Sequence, residues 1–126
     1  MIMQTDQKKI LIIDDEVDIR EMLRYALEKQ GYHVHAASNG QEGLDSYQQN
    51  GADLILLDVH MPVMDGMQFY EKWHAVYQDT HIPIVALTGD LRIHNLFEGF
   101  NVDAYVAKPF TLDELLKIMR LVLRKG

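Results

Sequence analysis

The sequence predicts an α/β fold, a doubly wound five-stranded parallel sheet with helices on both faces. Residues 10–13 and 54–57 are unalternating aliphatic runs, which are typical of strands buried on both faces of a sheet. Segments with apolar residues at helical spacing follow the predicted strands. Strand and helix alternate five times with short links, and this pattern favours parallel strands joined by helices.

The elements can be placed along the chain. The predicted strands cover residues 10–13, 34–37, 54–57, 82–87 and 104–107. The first helix has an apolar stripe and the third is rich in aromatic residues: Ile19, Met22, Leu23, Ala26 and Leu27 in the first, and Phe69, Tyr70, Trp73 and Tyr77 in the third. The second helix covers residues 41–49, and the fourth, near Leu96, has the weakest pattern. The last helix begins at a capping box, Thr111 to Glu114.

Polar residues stand where the predicted strands end. With five strands we expect the order 2-1-3-4-5, which places the reversal of chain direction between strands 1 and 3 and a site at their carboxyl ends. Those two ends carry Asp14, Asp15 and Asp58, and the neighbouring strands end at Thr88 and Lys108. The sequence therefore predicts one rim that holds all five residues. For Asp58 alone, the ordinary alternative is that it only caps the turn that follows.

The length and composition of the chain exclude several classes of protein. The chain has 126 residues, which indicates one domain covering residues 1–126. It contains no cysteine, which excludes disulfides and thiolate zinc sites, and it has no apolar run of the roughly 20 residues that a membrane span needs. A net charge of −7 argues against binding of nucleic acid by its own surface. We expect a cytoplasmic protein.

The residues of the predicted rim indicate phosphoryl chemistry. Three carboxylates held together repel each other unless a cation is present. Ligands that offer only oxygen suit a hard divalent ion such as Mg²⁺, which keeps several waters and meets phosphate oxygens. Three aspartates, Mg²⁺ and Lys108 have formal charges that sum to zero. Asp58, alone on the central strand, is then the natural nucleophile, and Lys108 and Thr88 can hold transferred oxygens.

Four motifs occur in order at these strand ends. They are Asp14-Asp15, the stretch Leu-Asp-Val-His-Met-Pro-Val-Met-Asp-Gly at residues 57–66, Ala86-Leu87-Thr88, and Lys108-Pro109-Phe110. Together they resemble the receiver domain of two-component response regulators, a CheY-like family with a flavodoxin-like fold. The resemblance covers residues 9–124.

The resemblance implies a site assignment. Asp58 would be the phosphoacceptor and would take its phosphoryl group from the phosphohistidine of a histidine kinase or phosphotransfer protein. Asp15 would ligate Mg²⁺ directly, Asp14 would act mostly through water, and the backbone carbonyl of His60 would supply a further ligand. Such a domain catalyses only its own phosphorylation and dephosphorylation, so it is not an enzyme in the usual sense.

The resemblance also implies a switch. Thr88 and Lys108 would contact the phosphoryl oxygens, and Tyr105 would turn inward when the Thr88 hydroxyl moves towards phosphate. The Lys108–Pro109 bond is expected to be cis, and the kinase is expected to dock near residues 16–23. The output would be a change in the face formed by the fourth helix, the fifth strand and the last helix, which would bind a second copy or an effector.

Two other functions share part of this pattern. A phosphatase of the haloacid-dehalogenase type also uses a strand-end aspartate, Mg²⁺ and a lysine. It requires a second aspartate at the position where this chain has His60. Flavodoxin-like cofactor binding needs a hydroxyl- and glycine-rich loop after the first strand, where this chain has Asp14-Asp15-Glu16.

Two pairs of residues outside the rim have alternative interpretations. His33 and His35 could face the same way as metal ligands, although ordinary edge-strand surface is the simpler interpretation. Ile118 and Leu121 are surplus to the apolar stripe of the last helix, which indicates a partner surface or merely a wide stripe.

Overall fold

The computed structural model describes residues 7–59, 66–77, 82–89 and 102–125. The element order is β1 (Lys9–Ile13), α1 (Val17–Lys29), β2 (His33–Ala37), α2 (Gly40–Asn50), β3 (Leu54–Asp58), α3 (Gly66–Tyr77), β4 (Ile84–Thr88), β5 (Ala104–Ala107) and α4 (Leu112–Lys125). The fourth predicted helix, near Leu96, lies outside the described residues, so α4 is the last predicted helix.

The five strands form one parallel sheet in the order β2-β1-β3-β4-β5, as the sequence predicts. At the carboxyl ends, Ile13 pairs with both Ala37 and Leu57, and Thr88 pairs with Ala107. This register brings the strand ends to one edge of the sheet. β2 lies at the edge of the sheet, as predicted, and β5 is at the other edge.

The sheet separates two apolar cores. Alternate residues of β1 and β3 face opposite sides, so Ile10 and Ile12 pack with α1 and α4, whereas Leu11 and Ile13 pack with α2 and α3. All four of these β1 side chains are fully buried. Burying each such side chain contributes about 1.5–3 kcal/mol. The unalternating aliphatic runs are therefore explained by helices on both faces.

Two helices begin with side-chain caps. At α4, the Thr111 hydroxyl accepts a hydrogen bond from the Glu114 amide at 3.1 Å, and the Glu114 carboxylate accepts one from the Thr111 amide at 2.9 Å. The predicted capping box is confirmed. At α2, the Glu42 carboxylate accepts hydrogen bonds from the hydroxyl and the amide of Ser38, and these hydrogen bonds lower the pKa of Glu42.

Two residues at the margins of helix faces differ from the prediction. Met22, predicted for the core stripe of α1, is 47% exposed. It lies about 100° from Leu23 around the helix, at the edge of the apolar face. Conversely, Ile118 is partly buried against the core, whereas Leu121 is 48% exposed. Only Leu121 is therefore surplus apolar surface on α4.

Within the described ranges, no helix has both the length and the hydropathy that crossing a bilayer requires.

Candidate functional site

Three aspartates meet at the carboxyl edge of the sheet. Asp14 and Asp15 follow β1, and Asp58 ends the neighbouring strand β3. One carboxylate oxygen from each lies within 4.8 Å of the other two. Asp14 is fully buried and Asp58 is 4% exposed, whereas Asp15 faces solvent. The structure thus brings together the three carboxylates that the sequence places at this edge.

Asp14 is held from several sides. Its amide donates to the carbonyl of Ala37 on β2 at 3.1 Å. One carboxylate oxygen accepts from the Glu16 amide at 2.9 Å, and the other accepts from the Lys108 ammonium at 3.1 Å. Its own carbonyl accepts from Nη1 of Arg20 at 2.8 Å. Both carboxylate oxygens are therefore satisfied without solvent, which permits the complete burial of Asp14.

Lys108 links the cluster. Its ammonium lies 3.6 Å from Oδ1 of Asp58 in addition to its contact with Asp14. Burial alone would lower the pKa of Lys108, but the hydrogen bond to Asp14 and the nearby charges of Asp58, Asp14 and Glu16 outweigh it, so that pKa is raised. The Lys108 amide donates to the carbonyl of Thr88 at 2.8 Å, and the Lys108–Pro109 peptide is cis, as expected.

Thr88 and Tyr105 lie on the neighbouring strands. Thr88 ends β4 and is buried, with 1% of its surface exposed. Tyr105 on β5 pairs with Ala86 of β4 and packs, half-buried, against the cluster of Val59 and Ala86. Burial raises the pKa of the Tyr105 phenol. All five side chains predicted for the rim therefore lie at the ends of adjacent strands, and His60 lies outside the described residues.

Sequence reasoning missed Arg20. This residue of α1 holds the backbone carbonyl of Asp14, so it supports the residue whose carboxylate lies deepest in the cluster. The available signal was a cation in the first two turns of the helix that follows the acidic pair.

Gly66 is a second residue whose role sequence reasoning missed. It begins α3, and its amide donates to the carbonyl of Val59 at 3.0 Å. A Cβ atom at this position would lie 2.8 Å from the carbonyl oxygen of Asp58 and 2.8 Å from the Cα of Val59. Both neighbours are backbone atoms, so no side-chain rotation could relieve the clash. The close approach of α3 to the end of β3 therefore requires glycine.

Gly66→Ala should lower the free energy of unfolding by about 1–3 kcal/mol, because the backbone beside Asp58 must shift to admit the methyl group. Urea denaturation followed by circular dichroism measures this. Gly89→Ala is the matched control, since a Cβ there meets no atom within 4 Å. Equal stability of the Gly66 and Gly89 variants would contradict the steric role of Gly66.

The donor set fits a hard divalent cation. The three carboxylates supply only oxygen, and the Lys108 ammonium can offset one of the three negative charges. No other group of three or more histidine or acidic side chains that could hold a metal occurs in residues 7–59, 66–77, 82–89 and 102–125. His33 and His35 do lie on one side of β2, with their rings 5.0 Å apart, but no third ligand joins them in these ranges.

Comparison with known proteins agrees with this geometry. The family model of the response regulator receiver domain matches residues 10–120. A probable transcriptional regulator, ycf27 of Guillardia theta, is 41% identical over an alignment of 123 residues, and the match covers 94% of this chain and 46% of that protein. The response regulator MprA of a Mycobacterium species is 38% identical over 119 residues, 93% of this chain and 51% of that protein. The chain thus spans about half the length of these curated relatives.

Solved structures show the same fold. The chemotaxis protein CheY4 of Vibrio cholerae superimposes with a TM-score of 0.86 at 32% identity, covering 92% of this chain and 98% of that one. The response regulator TrrA of Thermotoga maritima, solved in complex with Mg²⁺ and BeF, gives a TM-score of 0.82 at 32% identity, covering 92% of this chain and 99% of that one.

These similarities decide between the functions that the sequence left open. MprA and TrrA are response regulators, ycf27 is a probable transcriptional regulator, and none of the matches described above supports a phosphatase. The fold, the acidic cluster and the family match identify a signalling switch of two-component systems rather than an enzyme of the classical kind. The chain belongs to the receiver domain family of two-component response regulators.

Proposed function

We propose that Asp58 is the phosphoacceptor of this receiver domain and that residues 1–126 form one receiver unit. One observation carries the assignment of the acceptor. Asp58 is the nearly buried carboxylate at the end of the central strand, 3.6 Å from Lys108 and within reach of two further carboxylates. Asp58 ends the central strand and lies beside both the Lys108 ammonium and the two carboxylates that follow β1, so it is the best positioned nucleophile of the three.

In the proposed reaction, a carboxylate oxygen of Asp58 attacks the phosphorus of a phosphohistidine. The phosphorus–nitrogen bond breaks, the imidazole leaves with the bonding electrons, and an acyl phosphate forms on Asp58. Later attack by water on the phosphorus returns the carboxylate and inorganic phosphate. The domain itself supplies the catalysis of both steps.

The surrounding residues have distinct roles in this proposal. The Lys108 ammonium, with its raised pKa, stays protonated and holds a phosphoryl oxygen. The Thr88 hydroxyl holds a second oxygen. Asp14, Asp15, Asp58 and the carbonyl of His60 would hold Mg²⁺, whose charge would offset that of the phosphoryl oxygens.

A groove beside the site could receive the phosphodonor. Its volume is about 420 Å³, and it runs between α1 and the segment after β5, lined by Glu16, Ile19, Met22, Lys108, Pro109 and Phe110. Nearly half of the Met22 surface is exposed, so apolar surface is available next to Lys108. We place the kinase or phosphotransfer protein here, in agreement with the expected docking near residues 16–23.

The proposed output follows from the added charge. Phosphorylation adds roughly one further negative charge and strong acceptor oxygens beside Thr88. As the Thr88 hydroxyl turns towards them, Tyr105 moves inward, and the face formed by the fourth predicted helix, β5 and α4 changes its affinity for a second copy or an effector. Leu121 of α4 is 48% exposed and would add apolar area to that face.

The test measures how many phosphoryl groups each chain accepts. Acetyl phosphate with Mg²⁺ should add one phosphoryl group per chain in intact-mass spectra, and EDTA should prevent it. A phosphatase would instead release phosphate from p-nitrophenyl phosphate over many turnovers without retaining a label. Several labels per chain, or labelling that is indifferent to EDTA, would exclude the proposed function.

Asp15→Ala should weaken Mg²⁺ binding by at least about tenfold, or roughly 1.4 kcal/mol. Asp15 is the exposed member of the cluster, and the loss of its carboxylate removes both a ligand and a unit of negative charge. Isothermal titration calorimetry measures the affinity. Asp18→Ala is the control, because Asp18 is an exposed carboxylate in the first turn of α1 and lies outside the cluster. Equal losses in the two variants would show that Asp15 acts only through long-range charge.

A further inference from the structure

A second concave site lies at the amino-terminal ends of the strands, opposite the acidic cluster. It is an open surface depression of about 400 Å³, which we name the basic pocket, and it is lined by Lys8, Gln30, Gly31, Tyr32, Arg120, Leu123 and Arg124. Lys8 precedes β1, whereas Asp14 follows it, so the two sites are separated by the length of a strand, about 20 Å. The basic pocket therefore shares no residue with the acidic cluster.

The charge of the basic pocket is one-sided. Three of its lining residues are cationic and none is acidic, in a chain with a net charge of −7. Within the described ranges, the side chains of Lys8, Arg120 and Arg124 form no ion pair. Cations that line one concavity without an acidic partner in those ranges repel each other, and an anion would relieve that repulsion.

The helix ends do not account for this arrangement. The carboxyl-terminal ends of α1 and α4 lie at the basic pocket, and a cation near such an end is ordinarily explained by the helix dipole. That explanation applies to Arg120 and Arg124 but not to Lys8, which lies before a strand. Each helix end carries about half a negative charge, so the two ends together offset about one of the three positive charges of the lining.

The lining has donors that suit phosphate. Arg120 and Arg124 are four residues apart on α4, so both guanidinium groups project from one face of the helix and can each offer a paired set of N–H donors. Tyr32, on the turn between α1 and β2, is half-buried. Burial raises the pKa of its phenol, and the charge of Arg120 offsets only part of that rise.

We propose that the basic pocket binds a multiply charged phosphate, such as pyrophosphate or the polyphosphate of a nucleotide. Its three positive charges match an anion of comparable charge, and its volume lies in the range of small-ligand sites, roughly 300–1,000 Å³. The bound anion bridges the start of β1, the α1–β2 turn and the end of α4. This proposal does not depend on phosphorylation of Asp58.

The test is a titration with pyrophosphate monitored by two-dimensional ¹⁵N–¹H NMR spectroscopy. It is carried out in EDTA and at low ionic strength, so that no metal bridges the anion to the acidic cluster. We expect saturable shifts centred on the amides of Gly31, Tyr32, Arg120 and Arg124. Shifts spread evenly over cationic surface residues, or no saturation, would overturn the proposal.

Variants and other anions sharpen the test. The double variant Arg120→Ala, Arg124→Ala should weaken binding at least about tenfold, whereas Lys117→Ala, an exposed cation of α4 outside the basic pocket, should change it less than about twofold. The side chains of Lys117, Arg120 and Arg124 are all exposed, so the fold should survive these changes.

ATP binding more tightly than pyrophosphate would identify a nucleotide as the ligand, and equal binding would identify the polyphosphate group alone. Citrate binding as tightly as pyrophosphate would overturn the assignment to phosphate.

Discussion

Asp58→Asn should abolish the single phosphoryl label that acetyl phosphate gives to the wild-type chain. An amide oxygen is a far weaker nucleophile than a carboxylate and could not form a stable acyl phosphate. The two other carboxylates should not substitute for Asp58, because Asp14 has both oxygens engaged and Asp15 is exposed. Intact-mass spectra after incubation with acetyl phosphate and Mg²⁺ measure the loss.

Asp45→Asn is the matched control for this experiment. Asp45 is an exposed carboxylate of α2, where it accepts a hydrogen bond from Gln41, and it should label like the wild type. The Asp58 variant should also be at least as stable as the wild type without Mg²⁺, since one charge of a repelling group of three is gone. A full label on Asp58→Asn would mean that another residue accepts the phosphoryl group.

The fold and the rim could be predicted from sequence because their signals are local. The four consecutive aliphatic residues before Asp14 and before Asp58 each indicate a strand buried on both faces, and this pattern can be recognised without knowledge of the tertiary structure. Once the strands are parallel, their polar ends must share an edge. No knowledge of side-chain contacts was needed to bring Asp14, Asp15 and Asp58 together.

Contacts that depend on tertiary approach could not be predicted in this way. The Arg20 guanidinium reaches the carbonyl of Asp14 because the chain folds back between β1 and α1, and nothing in the residue types specifies that distance. Gly66 stands where sequence indicates only a turn, whereas the structure requires glycine because α3 starts against the backbone of β3. Met22 and Ile118 lie at the margins of helix faces, where a small rotation decides between core and surface.

Lys108→Ala should strengthen Mg²⁺ binding and slow phosphorylation, whereas a simple loss of structure would weaken both. The ammonium lies 3.1 Å from Asp14 and 3.6 Å from Asp58, so its removal leaves two buried carboxylates without their cation. Without divalent ions, the free energy of unfolding should fall by roughly 1–3 kcal/mol. Mg²⁺ should restore most of that loss and should bind more tightly than to the wild type, because no ammonium competes for the carboxylates.

Phosphorylation of the same variant should nevertheless slow by about a hundredfold, since a fixed positive donor for the phosphoryl oxygens is missing. Calorimetry with Mg²⁺ and the rate of labelling by acetyl phosphate measure the two effects. Lys117→Ala removes the same charge from an exposed position of α4 and should change neither. If Lys108 were only a structural counter-ion, Mg²⁺ would replace it fully and labelling would proceed at the wild-type rate. Slow labelling of a stable, metal-loaded variant would therefore assign the lysine to the transfer step itself.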